Sequence, residues 1–446
     1  MSSPQVDPDL CVIGGSEAGL AACLGAVALG LSCVLVDDGD PSGLINPDLA
    51  LAALAKAAAD PASREGAWRA VKDALARAAP DRRHVRFAAM NVRLVRGTGR
   101  FIDAATLRAG NQIIRARRFF IATGGQQPAW RLAEALPTGI RLLITDLTGL
   151  DQPPRDILIV GGGAQAVSAA QSLARLGSRV TLATNTLLPD LDPELMAPLV
   201  TRLRRDGVTI LPGHLQMLRE IGGQAEATLS TGVQITAAQL LLADETHPAL
   251  QALDVGNAGL KLDGDRLVLN AGPRTSHRHI LAIGRAAGAR SSQEGVAQAG
   301  HALRSAFLPV PARFKAHLVP LMTATDPQIA VVGRPCASGE GRVWRAPLAH
   351  TGGAALSGDT EGQIKIWTSR RGRVCCAGIV GANVRDLIPF WTLAIARGLT
   401  LAEVGEVVAP TPSLSESTRT IAVQDLARRL GSPVVRRVLR AARWFG

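Results

Sequence analysis

Residues 10–19 read LCVIGGSEAG, an apolar run followed by a glycine turn and small residues, which predicts a strand, a tight turn and a helix. Gly14 provides the turn, and Gly19 allows the helix to pack closely on the strand. Ser16 stands where the dinucleotide fingerprint has its middle glycine. Asp37 ends the next apolar run, at the spacing of an acid that binds a ribose hydroxyl. The stretch therefore predicts a βαβ unit whose helix N-terminus holds a dinucleotide pyrophosphate.

A second unit of the same kind begins at residue 157, where the chain reads ILIVGGGAQA. Gly161 and Gly163 keep two positions of the fingerprint, whereas Ala166 replaces the third glycine and adds one methyl group. The following strand ends at residues 183–185, ATN, with no acid for a ribose hydroxyl and no arginine for a 2′-phosphate. The sequence predicts a second, less complete dinucleotide site, and the choice between NAD and NADP stays open.

The bulk composition disfavours several classes of protein. The 446 residues are 47% apolar, which suffices for large cores and more than one domain. Tyrosine is absent and aromatic residues are scarce, so we expect no nucleic-acid partner, because single-strand readers stack bases on aromatic rings. The six cysteines lack C-x-x-C spacing, so we expect no metal site. No export signal is visible at the start, and a reducing, cytoplasmic setting follows.

Further stretches carry a resemblance to a known family. They are residues 119–125 (FFIATGG), 274–284 (RTSHRHILAIG), 325–333 (TDPQIAVVG) and 412–416 (PSLSE). With the two glycine-rich units, in this order, nearly the whole chain resembles the pyridine nucleotide–disulfide oxidoreductases. The resemblance is to mercuric reductase and dihydrolipoamide dehydrogenase-like flavoproteins in particular.

The resemblance implies an α/β fold. It consists of two Rossmann-like, three-layer dinucleotide-binding domains and a C-terminal α+β dimerisation domain. The implied divisions are an FAD-binding domain over 1–150, an NAD(P)-binding domain over 151–268, a segment returning to the FAD domain over 269–318, and the dimerisation domain over 319–446.

The same resemblance implies FAD and either NAD or NADP as cofactors. The residues expected to hold FAD are Gly14, Gly15, Ser16, Gly19, Asp37, Thr123, Gly124, Gly284 and Arg285. Those expected to hold the nicotinamide nucleotide are Gly161, Gly163 and Ala166.

A homodimer is implied as well, because the family completes each active site with the partner's C-terminal loop. Leu387, Trp391 and Ile395 recur every fourth residue, which places them on one helix face. We expect that face to supply either the dimer interface or the core of its own domain.

The departures from the family fall on its chemistry. The family's two redox cysteines are expected within residues 40–49, which read DPSGLINPDL and contain no thiol. Thr411 stands where the family has a histidine base, and Arg285 stands where it has an aspartate near the flavin ribityl chain. Thiol–disulfide exchange through a flavin-proximal pair is therefore not expected, and no catalytic acid or base can be assigned.

Two functions stay open on the sequence. The first is an FAD-dependent NAD(P)H oxidoreductase that passes electrons to a non-disulfide acceptor. The alternative is a catalytically degenerate pseudoenzyme, a structural or regulatory subunit that pairs with an active paralogous subunit. The retained first fingerprint favours the enzyme, and the joint loss of thiols, histidine and aspartate favours the pseudoenzyme.

The end of the chain has a pattern of its own. In residues 432–446, Val435 and Leu439 share one helix face while Arg436 and Arg440 share another, which predicts a basic amphipathic helix. Such a helix docks on the body of the protein or across a dimer, or else contacts an anionic membrane surface.

Overall fold

The computed structural model describes residues 5–39, 47–59, 64–78, 91–126, 130–134, 136–137, 139–243, 247–270, 272–309, 313–336, 340–431 and 437. Two compact units divide the chain. Unit 1 comprises Met1–Leu187 and Val208–Ala316, and unit 2 comprises Leu188–Gly207 and His317–Gly446. Most of the segment expected to carry redox cysteines, and nearly all of the basic tail, lie outside the described residues.

The secondary structure elements are numbered in chain order. The helices are α1 Glu17–Ala28, α2 Pro47–Ala59, α3 Arg64–Ala78, α4 Trp130–Ala133, α5 Ala164–Arg175, α6 Pro193–Arg205, α7 Ser292–Phe307, α8 Gly352–Ser357, α9 Val384–Arg397, α10 Leu401–Gly405 and α11 Glu416–Leu430. The strands are β1 Gln5–Val6, β2 Leu10–Ile13, β3 Cys33–Asp37, β4 Val92–Arg96, β5 Gly99–Asp103, β6 Thr106–Ala109, β7 Gln112–Arg115, β8 Arg118–Ile121, β9 Gly125–Gln126, β10 Arg141–Leu142, β11 Asp156–Val160, β12 Arg179–Ala183, β13 Thr209–Leu211, β14 Leu215–Ile221, β15 Gln224–Leu229, β16 Gln234–Ala237, β17 Gln239–Leu242, β18 His247–Pro248, β19 Leu262–Asp263, β20 Arg266–Leu267, β21 Ile280–Ala282, β22 Leu321–Met322, β23 Gln328–Gly333, β24 Gly341–Pro347, β25 Gln363–Ser369 and β26 Val374–Gly381.

Unit 1 contains a first parallel sheet of five strands in the order β21-β8-β2-β3-β4. Its inner strands β8, β2 and β3 are mostly apolar because both faces are covered, whereas the edge strand β4 carries the exposed Arg93 and Arg96. Helices α1 and α7 pack together on one face, where a Cβ on Gly25 would lie 2.4 Å from Leu303 Cδ1. The mixed sheet β1-β7-β6-β5, in which only the β1–β7 pair is parallel, contributes to the core on the other face, which includes Phe101 and Phe119. The result is a three-layer domain.

A second parallel sheet in unit 1 has the order β10-β17-β11-β12-β13. Helix α5 packs along it, with Ala166 and Ala170 fully buried. The antiparallel sheet β14-β15-β16 shares a core with β11 on the other side, around Leu158 and Leu229. The predicted pair of three-layer dinucleotide domains is confirmed.

Unit 2 is built on the antiparallel sheet β22-β23-β26-β25-β24. Helix α6 lies between β12 and β13 of the second parallel sheet in sequence, yet it belongs to this unit. Lys365 on β25 anchors it, with its Nζ 2.9 Å from both Asp192 carboxylate oxygens and 2.6 Å from Glu194 Oε2. Gly378 leaves room for the helix, because a Cβ there would lie 2.2 Å from Leu195 Cδ1. The mixed α+β character of the C-terminal part is as predicted.

The apolar face of α9 packs inward. Trp391 is 1% exposed, and Leu387 and Ile395 pack against the same core. Of the two roles predicted for this face, the structure gives it the core of its own domain. Exposed apolar side chains of unit 2 include Leu393, on the outward side of α9, and Leu426 of α11.

The apolar stretch of residues 18–36 consists of most of helix α1, a turn and most of strand β3. Within the described part of the chain, no helix combines the length and the hydropathy needed to cross a membrane.

Candidate functional site

The first candidate site lies at the carboxyl edge of the first parallel sheet, where β2, β3, β8 and β21 end side by side. Gly14 follows β2 with φ +107°, and a Cβ there would lie 2.4 Å from the Ala122 carbonyl oxygen. A Cβ on Gly19 would lie 2.1 Å from the Gly14 carbonyl oxygen. Both positions therefore require glycine, and the turn brings the α1 N-terminus onto the end of the strand.

Ser16 is the N-cap of α1, and its Oγ accepts a hydrogen bond of 3.3 Å from the Gly19 N–H. The hydroxyl thus replaces the missing middle glycine with a capping contact. The N–H of Gly15 donates to the Asp37 carboxylate at the end of β3. The helix N-terminus and its dipole face the crevice where a dinucleotide pyrophosphate binds in this fold.

Two backbone N–H groups, those of Gly15 and Gly39, hold the Asp37 carboxylate in place. Its Oδ1 accepts a 2.9 Å hydrogen bond from the Gly39 N–H in addition to the contact from Gly15. Burial raises the pKa of Asp37 above its usual value, although these backbone donors oppose the shift. A carboxylate in such a setting gains from further donors, such as the hydroxyls of a ribose.

Thr123 and Gly124 follow β8 at the same edge. The Thr123 hydroxyl oxygen is buried and has no hydrogen-bond partner among the described residues. Gly124 has φ +77°, and a Cβ there would meet nothing within 4 Å. A buried, unpaired hydroxyl beside open space is what a site looks like when its polar ligand supplies the missing partner. Together with the glycine turn and Asp37, these residues fit an FAD molecule.

Gly284 and Arg285 follow β21 and complete the edge. The Gly284 N–H donates to Gln298 Oε1 at 2.9 Å, and a Cβ on Gly284 would lie 3.1 Å from Ala18 Cβ. Arg285 is half-buried on the short 3₁₀ turn that begins at Gly284. The structure therefore brings all nine residues expected to hold FAD to one edge of the sheet.

The second candidate site lies at the carboxyl edge of the second parallel sheet. Gly161 has φ +135°, and Gly163 is the N-cap of α5 without a side-chain cap and with open space around it. Ala166 is fully buried against the strand, which accommodates its methyl group. These three residues surround a free helix N-terminus, the feature that binds a dinucleotide pyrophosphate.

Gly162 belongs to the same turn and was not singled out by the sequence analysis. A Cβ there would lie 2.0 Å from the Thr186 carbonyl oxygen and 2.3 Å from Thr184 Oγ1. The Thr184 hydroxyl in turn donates to the Thr186 carbonyl oxygen at 3.0 Å. The sequence signal for Gly162 was the run of three consecutive glycines, since the fingerprint requires glycine only at the first and third of these positions.

Asp48 is a second residue that sequence reasoning missed. It lies in the first turn of α2, where Oδ1 accepts from Gln165 Nε2 at 3.2 Å and Oδ2 accepts from the Ser292 N–H at 3.3 Å. The carboxylate therefore ties α2 to the N-terminal turns of α5 and α7. No local pattern marks this role, because the partners are far apart in sequence.

The thiols of unit 1 are buried. Burial raises the pKa of Cys11 well above its usual value. A hydrogen bond with Cys33, followed by burial, raises the pKa of Cys23 well above its usual value as well. A thiol held in its protonated form is a poor nucleophile, and the side chains of Cys11 and Cys23 both pack in the cores of unit 1.

In unit 2, Glu416 holds two loops together. Its carboxylate accepts hydrogen bonds of 2.9 Å from the N–H groups of Gly352 and Ser413. These donors, Gly352 first, lower the pKa of Glu416. The side chain of Thr411, which stands at the position of the family's histidine, also hydrogen-bonds to this carboxylate. A threonine hydroxyl has no pKa near neutrality, so it cannot replace the histidine as a base.

Comparison with known proteins agrees with this geometry. Residues 8–306 match the family model described as pyridine nucleotide-disulphide oxidoreductase, and residues 319–422 match the dimerisation domain of the same family. The chain belongs to this family. Its members are FAD- and NAD(P)H-dependent oxidoreductases, so the predicted family, fold and cofactors are confirmed. The dimerisation domain supports the predicted homodimer.

Individual relatives are distant. A mercuric reductase of Streptomyces lividans is 29% identical and covers 93% of this chain and 95% of its own length. A dihydrolipoyl dehydrogenase of Pseudomonas aeruginosa is 26% identical over 76% of each chain. Among solved structures, the HOCl-induced flavoprotein disulfide reductase RclA from Escherichia coli, in a Cu(II) complex, has a TM-score of 0.83 at 22% identity, covering 94% of this chain and 99% of its own. That last likeness concerns the fold.

Proposed function

We propose that this protein is an FAD-dependent NAD(P)H oxidoreductase that passes electrons to a non-disulfide acceptor. One observation carries the proposal. The crevice at the carboxyl edge of the first sheet keeps a buried, unpaired Thr123 hydroxyl beside the glycine turn, in a chain whose sequence has no cysteine between Cys33 and Cys336. The flavin crevice is kept, whereas residues 40–49, where the family resemblance places the thiols that relay electrons to a disulfide, contain no cysteine.

Each residue of the first crevice has a role in holding FAD. The N–H groups of the α1 turn receive the pyrophosphate, Asp37 accepts from the ribose, and the Thr123 hydroxyl gains its missing partner. Arg285 contributes a cation at the position where the family has a carboxylate, and it pairs with the pyrophosphate or another anion. The proposed set is Gly14, Gly15, Ser16, Gly19, Asp37, Thr123, Gly124, Gly284 and Arg285.

The nicotinamide nucleotide binds at the second edge, through Gly161, Gly163 and Ala166. Bound FAD would supply the electron-transfer chemistry between NAD(P)H and an acceptor, and this chemistry would need no thiol from the protein. The residues of the chain position the two nucleotides and exclude water from the crevices. The cysteines of unit 1, with Cys11 and Cys23 held protonated, fit the reducing cytoplasm in which we place this activity.

The nature of the acceptor follows from what the chain lacks. Disulfide and mercuric substrates of the family react through thiolates and a base near the flavin. Here the segment of residues 40–49 has no cysteine, and Thr411 occupies the place of the base. A quinone or a dye takes electrons directly from a reduced flavin, so its reduction needs neither a thiolate nor a base from the protein.

A second candidate function is a pseudoenzyme that serves as a structural or regulatory subunit. The contact between Thr411 and Glu416 favours it, because the carboxylate that would orient a base is now used to hold loops together. This alternative keeps the fold and the dimerisation domain but gives up electron transfer.

The two candidates differ in one experiment. The purified protein is assayed for bound flavin and for oxidation of NADH and NADPH with a quinone, oxidised lipoamide, glutathione disulfide and mercuric ion. Our proposal expects a yellow protein that reduces the quinone and none of the three thiol-dependent substrates. A yellow or colourless protein that oxidises neither nucleotide supports the pseudoenzyme. Turnover of a disulfide or of mercuric ion at rates typical of enzymes rejects the proposed acceptor class.

A further inference from the structure

Unit 2 brings together two cysteines that are far apart in sequence. Cys336 follows β23 and Cys375 lies in β26, and their Sγ atoms are 2.7 Å apart. The antiparallel pairing of these two strands fixes the approach, with Gly333 opposite Cys376 and the Arg334 N–H donating to the Cys375 carbonyl oxygen at 3.1 Å. The register of the sheet therefore places Arg334 beside Cys375, and the chain that follows Arg334 brings the Cys336 sulfur to the Cys375 sulfur.

We propose that Cys336 and Cys375 form a redox-active pair that closes to an intrachain disulfide under oxidising conditions. A disulfide bond is about 2.05 Å long, so a movement of less than one ångström joins the two sulfur atoms. Both residues are half-buried, so a small oxidant reaches them. The inference stands apart from the proposed flavin chemistry and survives whichever acceptor the enzyme uses.

The other cysteines do not compete for this role. Cys376 is adjacent to Cys375 but is fully buried, so an oxidant does not reach its thiol. Cys11, Cys23 and Cys33 are buried in unit 1. Cys23 and Cys33 also contact each other, so access to solvent is what distinguishes the pair of Cys336 and Cys375.

The reaction balances with a small-molecule disulfide as the oxidant. One thiol attacks oxidised glutathione, releases one glutathione thiol and forms a mixed disulfide, and the second thiol displaces the other glutathione. In sum, the two S–H bonds of the pair are replaced by one S–S bond, and one glutathione disulfide becomes two thiols. Burial, followed by the contact with Cys336, raises the pKa of Cys375 to about 11, so closure is expected to speed up as the pH rises.

The product joins the segment after β23 to the start of β26. It closes a loop across residues 337–374, which contain strands β24 and β25. A cross-link between such distant positions restricts the unfolded chain, so the oxidised form of unit 2 is expected to be more resistant to heat than the reduced form.

The test uses the full-length protein, equilibrated separately with reduced dithiothreitol and with oxidised glutathione, then alkylated and digested with trypsin. We expect the number of free thiols to fall from six to four. We also expect peptides 316–342 and 374–385 to become linked. The link should be absent in Cys336→Ser and Cys375→Ser and present in Cys376→Ala. Six free thiols after oxidation, a link that persists in Cys375→Ser, or a stable glutathione adduct on either cysteine overturns the proposal.

A melting experiment provides a second readout that does not depend on peptide mapping. The wild-type protein should melt several degrees higher when oxidised than when reduced, whereas Cys336→Ser should melt at one temperature under both conditions. Equal melting temperatures for the two wild-type forms would contradict a disulfide bond that stabilises unit 2. The same difference in melting temperature between oxidised and reduced Cys336→Ser would contradict it as well.

Discussion

Gly19 lies so close to Gly14 that a Cβ on Gly19 would stand 2.1 Å from the Gly14 carbonyl oxygen. Gly14 is itself held against the backbone of Ala122, so neither glycine can move away without opening the turn. This pair of close contacts sets the position of the α1 N-terminus at the edge of the first sheet. FAD binding is therefore expected to require glycine at position 19, because even the single methyl group of alanine would not fit there.

Replacing Gly19 with alanine tests that dependence. The added methyl group forces the turn apart, so we expect Gly19→Ala to lower FAD retention at least tenfold, measured by flavin absorbance per protein after gel filtration. Gly300→Ala is the matched control, because Gly300 lies in α7 and a methyl group added there would meet nothing within 4 Å. The control should keep its flavin, and equal retention in both variants would show that the turn does not hold FAD.

Thr123→Val replaces the unpaired buried hydroxyl with a methyl group of similar size. Without FAD the variant should be as stable as the wild type or more stable by about 1 kcal/mol, because an unsatisfied hydroxyl is removed. With FAD present its affinity should be roughly tenfold weaker, the loss of about one hydrogen bond. Chemical denaturation and flavin titration measure the two effects.

Ser305→Ala provides the comparison for Thr123, since Ser305 Oγ is also buried and lacks a partner among the described residues but lies near the end of α7. It should alter stability in the same direction and leave FAD affinity unchanged. If Thr123→Val binds FAD as tightly as the wild type, the hydroxyl does not face the cofactor.

Because the pKa of Asp37 is raised, we expect FAD binding to depend on pH. Burial raises its pKa in the protein without ligand, and ribose hydroxyls donate stronger hydrogen bonds to the ionised carboxylate than to the protonated one. FAD affinity should therefore fall as the pH drops through the raised pKa of Asp37. Asp37→Asn should bind FAD more weakly at neutral pH and lose this acid dependence. A variant whose affinity still falls with acid in parallel with the wild type would assign the effect to another group.

Replacing Lys365 is expected to destabilise unit 2. It is 5% exposed and bonds to Asp192 and Glu194, so Lys365→Met removes the cation beside Asp192 and leaves Glu194 with Arg345 alone. Because both carboxylates are partly open to water, we expect a loss of about 1–3 kcal/mol rather than the larger cost of a fully buried pair. Lys72→Met, which removes the exposed contact with Asp151, should cost less than about 0.5 kcal/mol. Equal losses in urea denaturation would contradict this ranking.

The ion pairs around Glu194 are expected to cause part of the loss of stability in acid. Hydrogen bonds from Arg345 and then Lys365 lower the pKa of Glu194 to about 2. The carboxyl is ionised above its unfolded pKa of about 4.3, where its contribution to stability is complete. That contribution is lost as the pH falls from there towards 2. Glu194→Gln should therefore flatten the decline of stability in acid, and an unchanged acid profile would remove Glu194 from the cause.

Helix α11 is the expected source of apolar dimer surface. Val423, Leu426 and Leu430 are 52%, 53% and 47% exposed and recur at helical spacing on one face. Leu426→Arg should shift the protein towards the monomer at micromolar concentration in light scattering. Met217→Arg, at a similarly exposed apolar residue in unit 1, should leave the dimer intact. A dimer in both variants would place the interface on another surface.

The parts of the fold that the sequence predicts are those encoded locally. The apolar run before Gly14, the small residues after it and the acid at Asp37 predict a strand, a turn, a helix and a second strand, all of which form. The residues that the sequence misses act through tertiary contacts. Asp48 joins helices α2, α5 and α7, and its position in a run expected to carry thiols gives no indication of this role.

The same distinction explains unit 2. The spacing of Leu387, Trp391 and Ile395 predicts one apolar face, but only the packed sheet shows that the face belongs to the core. The contact of Cys336 with Cys375 depends on the register of β23 against β26, which no local pattern encodes. Periodicity therefore identifies faces and elements, whereas long-range pairing decides what those faces and thiols meet.

The central claim is that electrons pass through FAD without a flavin-proximal thiol pair, and an anaerobic titration with NAD(P)H tests it most directly. The sample is the Cys336→Ser/Cys375→Ser variant, so that the pair in unit 2 takes up no electrons. Full reduction should consume two electrons per FAD, the capacity of the flavin alone, and an added quinone should restore the oxidised flavin spectrum. Uptake of four electrons per FAD, with the second pair stored in a protein disulfide, would contradict the account.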